Sequence, residues 1–115
     1  MRAVVCGANG AMGKLLQQRL QGNIAGLVSI DGENNVPRDF AQLGKVDADV
    51  IIDFSNAGAI DDLLVYSVEK QIPVVLCTTG LSDAQLEAAR TAATKVAILR
   101  SANMSLGINT LMELL

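Results

Sequence analysis

Three glycines, Gly7, Gly10 and Gly13, fall within the stretch CGANGAMGK (6–14) and leave it almost without side-chain chemistry. What such a stretch can do is bind an anion through its backbone. A glycine at the first position permits a tight turn, and one at the second lets main chain approach a phosphate with no Cβ in the way. A glycine at the third lets the following helix pack closely. The helix start then offers unsatisfied N–H groups and the positive end of its dipole. A turn that merely packs well is the alternative reading.

The second chemical signal is an acidic residue about twenty positions further on. Asp31 in VSIDG stands there, and its carboxylate can accept hydrogen bonds from ribose hydroxyls. The glycine spacing is G-x-x-G-x-x-G, a variant of the G-x-G-x-x-G of dinucleotide-binding turns. Gly32, Glu33 and Asn34 follow Asp31, with no Arg or Lys to meet a ribose 2′-phosphate, so NADH is favoured over NADPH. Arg38 is the only nearby residue that argues otherwise.

These residues need a strand before the glycines, a helix after them and a strand before Asp31. The pattern supplies all three: RAVVC (2–6), AMGKLLQQRLQ (11–21) and AGLVSI (25–30). The helix sets Met12, Leu15, Leu16 and Leu20 at helical spacing. A short helix around Asp39–Leu43 precedes ADVIIDF (48–54), a third strand. AGAIDDLLVYSVEKQ (57–71) repeats Ile60, Leu63, Leu64 and Val68 on one helical face. PVVLC (73–77) is a fourth strand, and LSDAQLEAARTAAT (81–94) begins with Ser82 as N-cap and Gln85 as capping-box partner. KVAILR (95–100) is a fifth strand, and SLGINTLMELL (105–115) opens another helix. Such alternation implies α/β architecture: a Rossmann-like doubly wound parallel sheet with helices on both faces. Strand one is expected beside strand four, which would make neighbours of Cys6 and Cys77. They read as buried small hydrophobes, with a redox pair as the minor reading.

The chain of 115 residues is half hydrophobic and only 3% aromatic, so its core is aliphatic, as a buried parallel sheet requires. A net charge of −3 argues against nucleic acid or an anionic membrane as partner. No apolar run approaches the roughly 20 residues that span a bilayer, and the N-terminus lacks the form of a signal peptide. A cytoplasmic setting with reduced thiols is expected. With no His and two isolated Cys, no metal site is expected.

Ligands of open α/β sheets gather beyond the carboxyl ends of the strands. Three loops there, DFSNAG (53–58), CTTGLSD (77–83) and SANMSLGIN (101–109), are rich in Ser, Thr, Asn and Gly. YSVEK (66–70) matches the Y-x-x-x-K pair of short-chain dehydrogenases, but it sits too early in the chain. Tyr66 and Lys70 read instead as an i,i+4 surface pair.

Taken together, GANGAMG, VIIDFS, CTTG and SANMSLGIN resemble, in order and spacing, the nucleotide-binding half of the dihydrodipicolinate reductase family. The resemblance spans nearly the whole chain. It implies NAD(P)H-dependent reduction of a cyclic intermediate in diaminopimelate and lysine biosynthesis. By that resemblance Gly7, Ala8, Asn9, Gly10, Ala11 and Met12 cradle the pyrophosphate, and Asp31 holds the adenosine ribose. Cys77, Thr78 and Thr79 lie near the nicotinamide, and Ala102, Asn103, Met104 and Ser105 close the other side. Cys77 stands where the family usually has Gly. The family's second domain carries the His-His-x-x-Lys segment that donates the proton and anchors substrate, and this sequence has no His. The resemblance therefore implies that residues 1–115 are the dinucleotide-binding domain of a fragment, without the substrate domain and inactive alone. The parent is expected to be a homotetramer assembled through the other domain, and this chain a monomer or dimer. A non-catalytic NAD-binding or redox-sensing module and a short-chain dehydrogenase-like protein are the alternatives.

Overall fold

The computed structural model describes residues 2–101. Its elements alternate along the chain: β1 (Ala3–Cys6), α1 (Ala11–Arg19), β2 (Ile24–Val28), α2 (Phe40–Leu43), β3 (Val50–Asp53), α3 (Ile60–Lys70), β4 (Val74–Leu76), α4 (Asp83–Ala92) and β5 (Ile98–Arg100). Short 3-10 turns at Glu33–Asn35 and Ala57–Ala59 complete them. All strands pair in parallel, in the order β2-β1-β3-β4-β5. No helix among the described residues is long and apolar enough to cross a membrane.

Successive strand residues point to opposite faces, so two cores form. Val4, Cys6, Ile51, Val74 and Leu76 pack with Phe40 and with Ile60, Leu63, Leu64 and Tyr66 of α3 and Ala89 and Ala92 of α4. Ala3, Val5, Val50, Ile52, Val75 and Cys77 pack on the other face against Leu16 and Leu20. Each fully buried Leu or Ile contributes about 2 kcal/mol by the area it removes from water. The buried stripe of α1 is shifted from expectation. Gly13, Leu16 and Leu20 are buried, Met12 is half-buried and Leu15 is exposed, because the glycine side of the helix lies against the sheet.

The strand order corrects the expectation that β1 lies beside β4. Cys6 pairs with Asp53 of β3, and Asp53 in turn with Leu76 of β4, so β3 stands between. The reason lies in α2, which packs against β2 and α3, on the face opposite α1. A right-handed crossover on that face carries the chain back past β1 to its other side. The winding therefore reverses between β1 and β3, and a crevice opens there at the carboxyl edge.

Cys6 and Cys77 consequently face opposite cores with β3 between them, and both are free buried thiols. The reading of small buried hydrophobes holds, and the redox pair does not.

Candidate functional site

The glycine turn follows β1 directly at this crevice. Gly7 has φ +84, and a Cβ there would sit 2.7 Å from the Phe54 carbonyl carbon, so only glycine fits. The N–H groups of Gly7 and Ala8 both donate to the Val28 carbonyl, at 2.9 and 3.1 Å, which ties the turn to β2. Gly13 brings α1 down onto the turn: a Cβ there would lie 2.2 Å from the Gly7 oxygen. Gln17 reaches back from α1 and donates to the Ala8 carbonyl at 2.7 Å. Gly10 differs from both. Its φ is −77, and a Cβ would meet nothing nearer than the Gly7 oxygen at 3.4 Å. It is the N-cap of α1, which has no side-chain cap and no acidic residue in its first turn. The first-turn N–H groups of such a helix attract an anion.

Asp31 lies three residues beyond β2 and is exposed. Its Oδ1 accepts from Asn9 Nδ2 at 2.8 Å and from the Glu33 N–H at 3.0 Å. Those two bonds, the Asn9 amide first, hold the carboxyl below its ordinary range, with a smaller contribution from Arg38. Arg38 lies over Gly32, where a Cβ would come within 2.4 Å of its Nε. A cavity of about 240 Å3 lies between the glycine turn and Arg38, lined by Gly7, Gly10, Ser29, Ile30, Arg38 and Ser55 among others. A second, of about 320 Å3, shares Val28, Ile30, Arg38 and Ala59 with it. The largest cavity, about 560 Å3, is an apolar groove between α3 and α4 lined chiefly by Leu64, Val65, Val68 and Ala88. Asp61, Glu69, Thr91 and Lys95 complete its wall, and it lies away from the glycine turn.

The loops after β3 and β4 are bound to each other. Asp53 is fully buried at the end of β3. Its Oδ1 accepts from the Ser55 N–H at 3.0 Å and from the Ser55 hydroxyl, and its Oδ2 accepts from the Thr78 hydroxyl. Asn56 accepts from the Gly58 N–H at 3.0 Å, and Ser82 and Gln85 form the expected capping box. Many of the polar side chains expected to face a ligand are thus engaged within their own loops. Sequence reasoning missed Asp53 as their centre. The available signal was a carboxylate ending the otherwise apolar strand VIID, followed two residues later by Ser.

Thr78 therefore turns its side chain inward, and Cys77 is buried with its N–H on the Asp53 carbonyl at 3.0 Å. Thr79 is the exposed residue of the three. Burial and the Asp53 charge push the Cys6 thiol up to about 12 and the Cys77 thiol to about 11. Ser101 anchors the third loop through its N–H to the Leu76 carbonyl at 3.0 Å. Ala102, Asn103, Met104 and Ser105, and the helix expected after them, lie outside the described residues. No group of three His, Cys, Asp or Glu among the described residues is placed to hold a metal.

Tyr66 is not the surface residue expected. It is buried against Phe40, with ring centroids 4.6 Å apart, and donates to the Gly44 carbonyl at 2.7 Å. Burial raises its pKa. Lys70 pairs with Glu69 at 3.6 Å. Tyr66 lies in the second half of α3, toward the amino ends of the strands and away from the glycine turn, so the dehydrogenase-like pair is not assembled at the crevice.

The family described as dihydrodipicolinate reductase, N-terminus, matches residues 1–104. The chain belongs to that family. The N-terminal domain of that family binds a nicotinamide cofactor. The sequence is 40% identical to the 4-hydroxy-tetrahydrodipicolinate reductase of Caldanaerobacter subterraneus subsp. tengcongensis, across 99% of this chain and 48% of that protein. It is 37% identical to that of Clostridium novyi, across 99% and 48%, and 33% identical to that of Clostridium tetani, across 100% and 48%. The chain thus spans about half the length of these relatives.

Proposed function

We propose that this chain is the cofactor-binding half of a 4-hydroxy-tetrahydrodipicolinate reductase and that its crevice holds NADH in preference to NADPH. The observation that carries the reading is the uncapped start of α1 behind Gly10, with an ionised Asp31 fixed beside it. The N–H groups of Ala11 and Met12 would meet the diphosphate, and Gly10 leaves room for it. Asp31 would accept from the ribose hydroxyls. Its charge opposes a 2′-phosphate, and Arg38 alongside reduces that opposition, so the preference for NADH is one of degree. Thr79, with residues 102–105, would border the nicotinamide, while Asp53 and Thr78 hold the shape of the loop beneath.

Bound nicotinamide supplies a hydride for a conjugated C=N/C=C substrate. This chain's own part is to bind and orient. It has no His, so the His-based proton delivery that the family resemblance implies is not among its residues. The 115-residue chain is accordingly expected to bind dinucleotide without turning substrate over, and turnover by the purified chain would contradict this. A cytoplasmic setting, which suits two unpaired thiols, and a tetrameric parent belong to the same proposal. Calorimetric titration with NADH and NADPH tests the cofactor reading. Tighter binding of NADH, weakened in Asp31→Ala, is expected; preference for NADPH would overturn the assignment.

A further inference from the structure

Asn9 lies between Gly7 and Gly10, where the sequence places it against the diphosphate, yet its side chain points elsewhere. Its Nδ2 donates to Asp31 Oδ1 at 2.8 Å and to the Glu33 carbonyl at 2.9 Å. Its Oδ1 accepts from Asn34 Nδ2 at 3.3 Å. All three contacts cross from the glycine turn to the loop after β2. We infer that Asn9 is a positioning residue that locks the phosphate-facing turn to the loop carrying Asp31, so that both meet the cofactor as one preorganised unit. The inference rests on the cofactor reading above.

Residue chemistry favours Asn for this task. The amide offers two N–H donors and a carbonyl acceptor on one short side chain. Asp in its place would have no donor and would set a second carboxylate against Asp31. Ala would leave the loop without its cross-link.

The loop is also one that needs holding. Asn34 and Asn35 have φ of 59 and 61, a left-handed conformation that L-residues avoid and Asn tolerates best. Two such residues in succession persist where surrounding contacts over-determine them. Asn9 supplies two such contacts, at the Glu33 carbonyl just before the bend and at the Asn34 side chain within it. Asp31, engaged through Oδ1 by Asn9 and the Glu33 N–H, is thereby fixed in orientation before a ribose arrives. Preorganisation of this kind raises affinity by reducing what must be ordered on binding.

The test uses Asn9→Ala and Asn9→Asp in this chain, with NADH and NADPH affinities by calorimetry and thermal midpoints alongside. Titration of the Asp31 side-chain carboxyl by NMR, without cofactor, provides an independent readout. Asn9→Ala is expected to weaken NADH roughly five- to tenfold, to weaken NADPH less, and to lower the thermal midpoint by only a few degrees. Asn9→Asp should weaken NADH further. In Asn9→Ala the Asp31 carboxyl should titrate at higher pH than in the parent chain. Equal losses for both cofactors would show a merely structural role and overturn the inference, as would unchanged NADH affinity. If the parent chain fails to bind NADH, the cofactor reading falls by itself. The NMR titration then decides the role of Asn9, and an unmoved Asp31 overturns it.

Discussion

Asp31 and Asp53 both stand near the carboxyl ends of neighbouring or next-neighbouring strands, and they are used in opposite ways. Asp31 is exposed and is held through one oxygen by Asn9 and the Glu33 N–H, on the loop after β2. Asp53 is fully buried and has both oxygens engaged by Ser55 and Thr78. One carboxylate is presented and the other is sealed. The same contrast separates the glycines: Gly7 and Gly13 are closed against backbone, whereas a Cβ at Gly10 would meet only the Gly7 oxygen, at 3.4 Å. The site is therefore a thin layer of presented groups, with a rigid underlay whose polar atoms are already satisfied.

The sharpest break of that underlay is Gly13→Ala. In an exposed helix this change gains about 1 kcal/mol from propensity. Here the new Cβ would lie 2.2 Å from the Gly7 oxygen and 2.9 Å from the Ala8 backbone, and overpacking against main chain reverses the sign, to a loss of about 3 kcal/mol. Urea unfolding of the two proteins measures it, and a stabilised variant would contradict the packing described. Thr78→Val comes next. It keeps the shape and removes the hydroxyl that Asp53 Oδ2 accepts from, at a cost of about 1–3 kcal/mol for an acceptor left unmet in the interior. Thr78→Ser should recover most of that stability in the same unfolding experiment.

A pH-dependent effect belongs to the cysteines. Their folded-state pKa values, about 12 and about 11, stand above the ordinary 9.0. A raised pKa gives stability that is complete below about 9 and is lost as pH rises through the folded values. Unfolding free energy should therefore decline as pH rises from about 9 toward 11, and Cys6→Ala/Cys77→Ala should flatten that decline. At pH 8 both thiols should resist an aromatic disulfide reagent until the chain is unfolded, since the thiolate is the reactive form.

The glycine turn and the capping box at Ser82 were legible in the sequence because each is set by local backbone requirements. The strand order was not. It depends on the face that α2 occupies, and that follows from Phe40 meeting Tyr66, a contact between separate elements. Tyr66 misled for the same reason: the i,i+4 spacing to Lys70 suggests a surface pair, whereas Phe40 and the Gly44 carbonyl draw it inward. The polar loops were legible as loops but not in their allegiance. Ser55 and Thr78 look like ligand-facing hydroxyls until the buried Asp53 is seen to take both. Asn9 belongs to this class too, since its partners follow only after β2.

The most direct test of the presented layer is Gly10→Ala. This residue has an ordinary φ, and a Cβ would meet only the Gly7 oxygen, at the contact distance of 3.4 Å, so the variant should unfold within about 1 kcal/mol of the parent. The added methyl would nonetheless occupy the approach to the start of α1. Calorimetry with NADH is predicted to show binding by the parent chain and at least about tenfold weaker binding by Gly10→Ala. Equal NADH affinity in the two proteins, or a flat isotherm for the parent, would contradict the account.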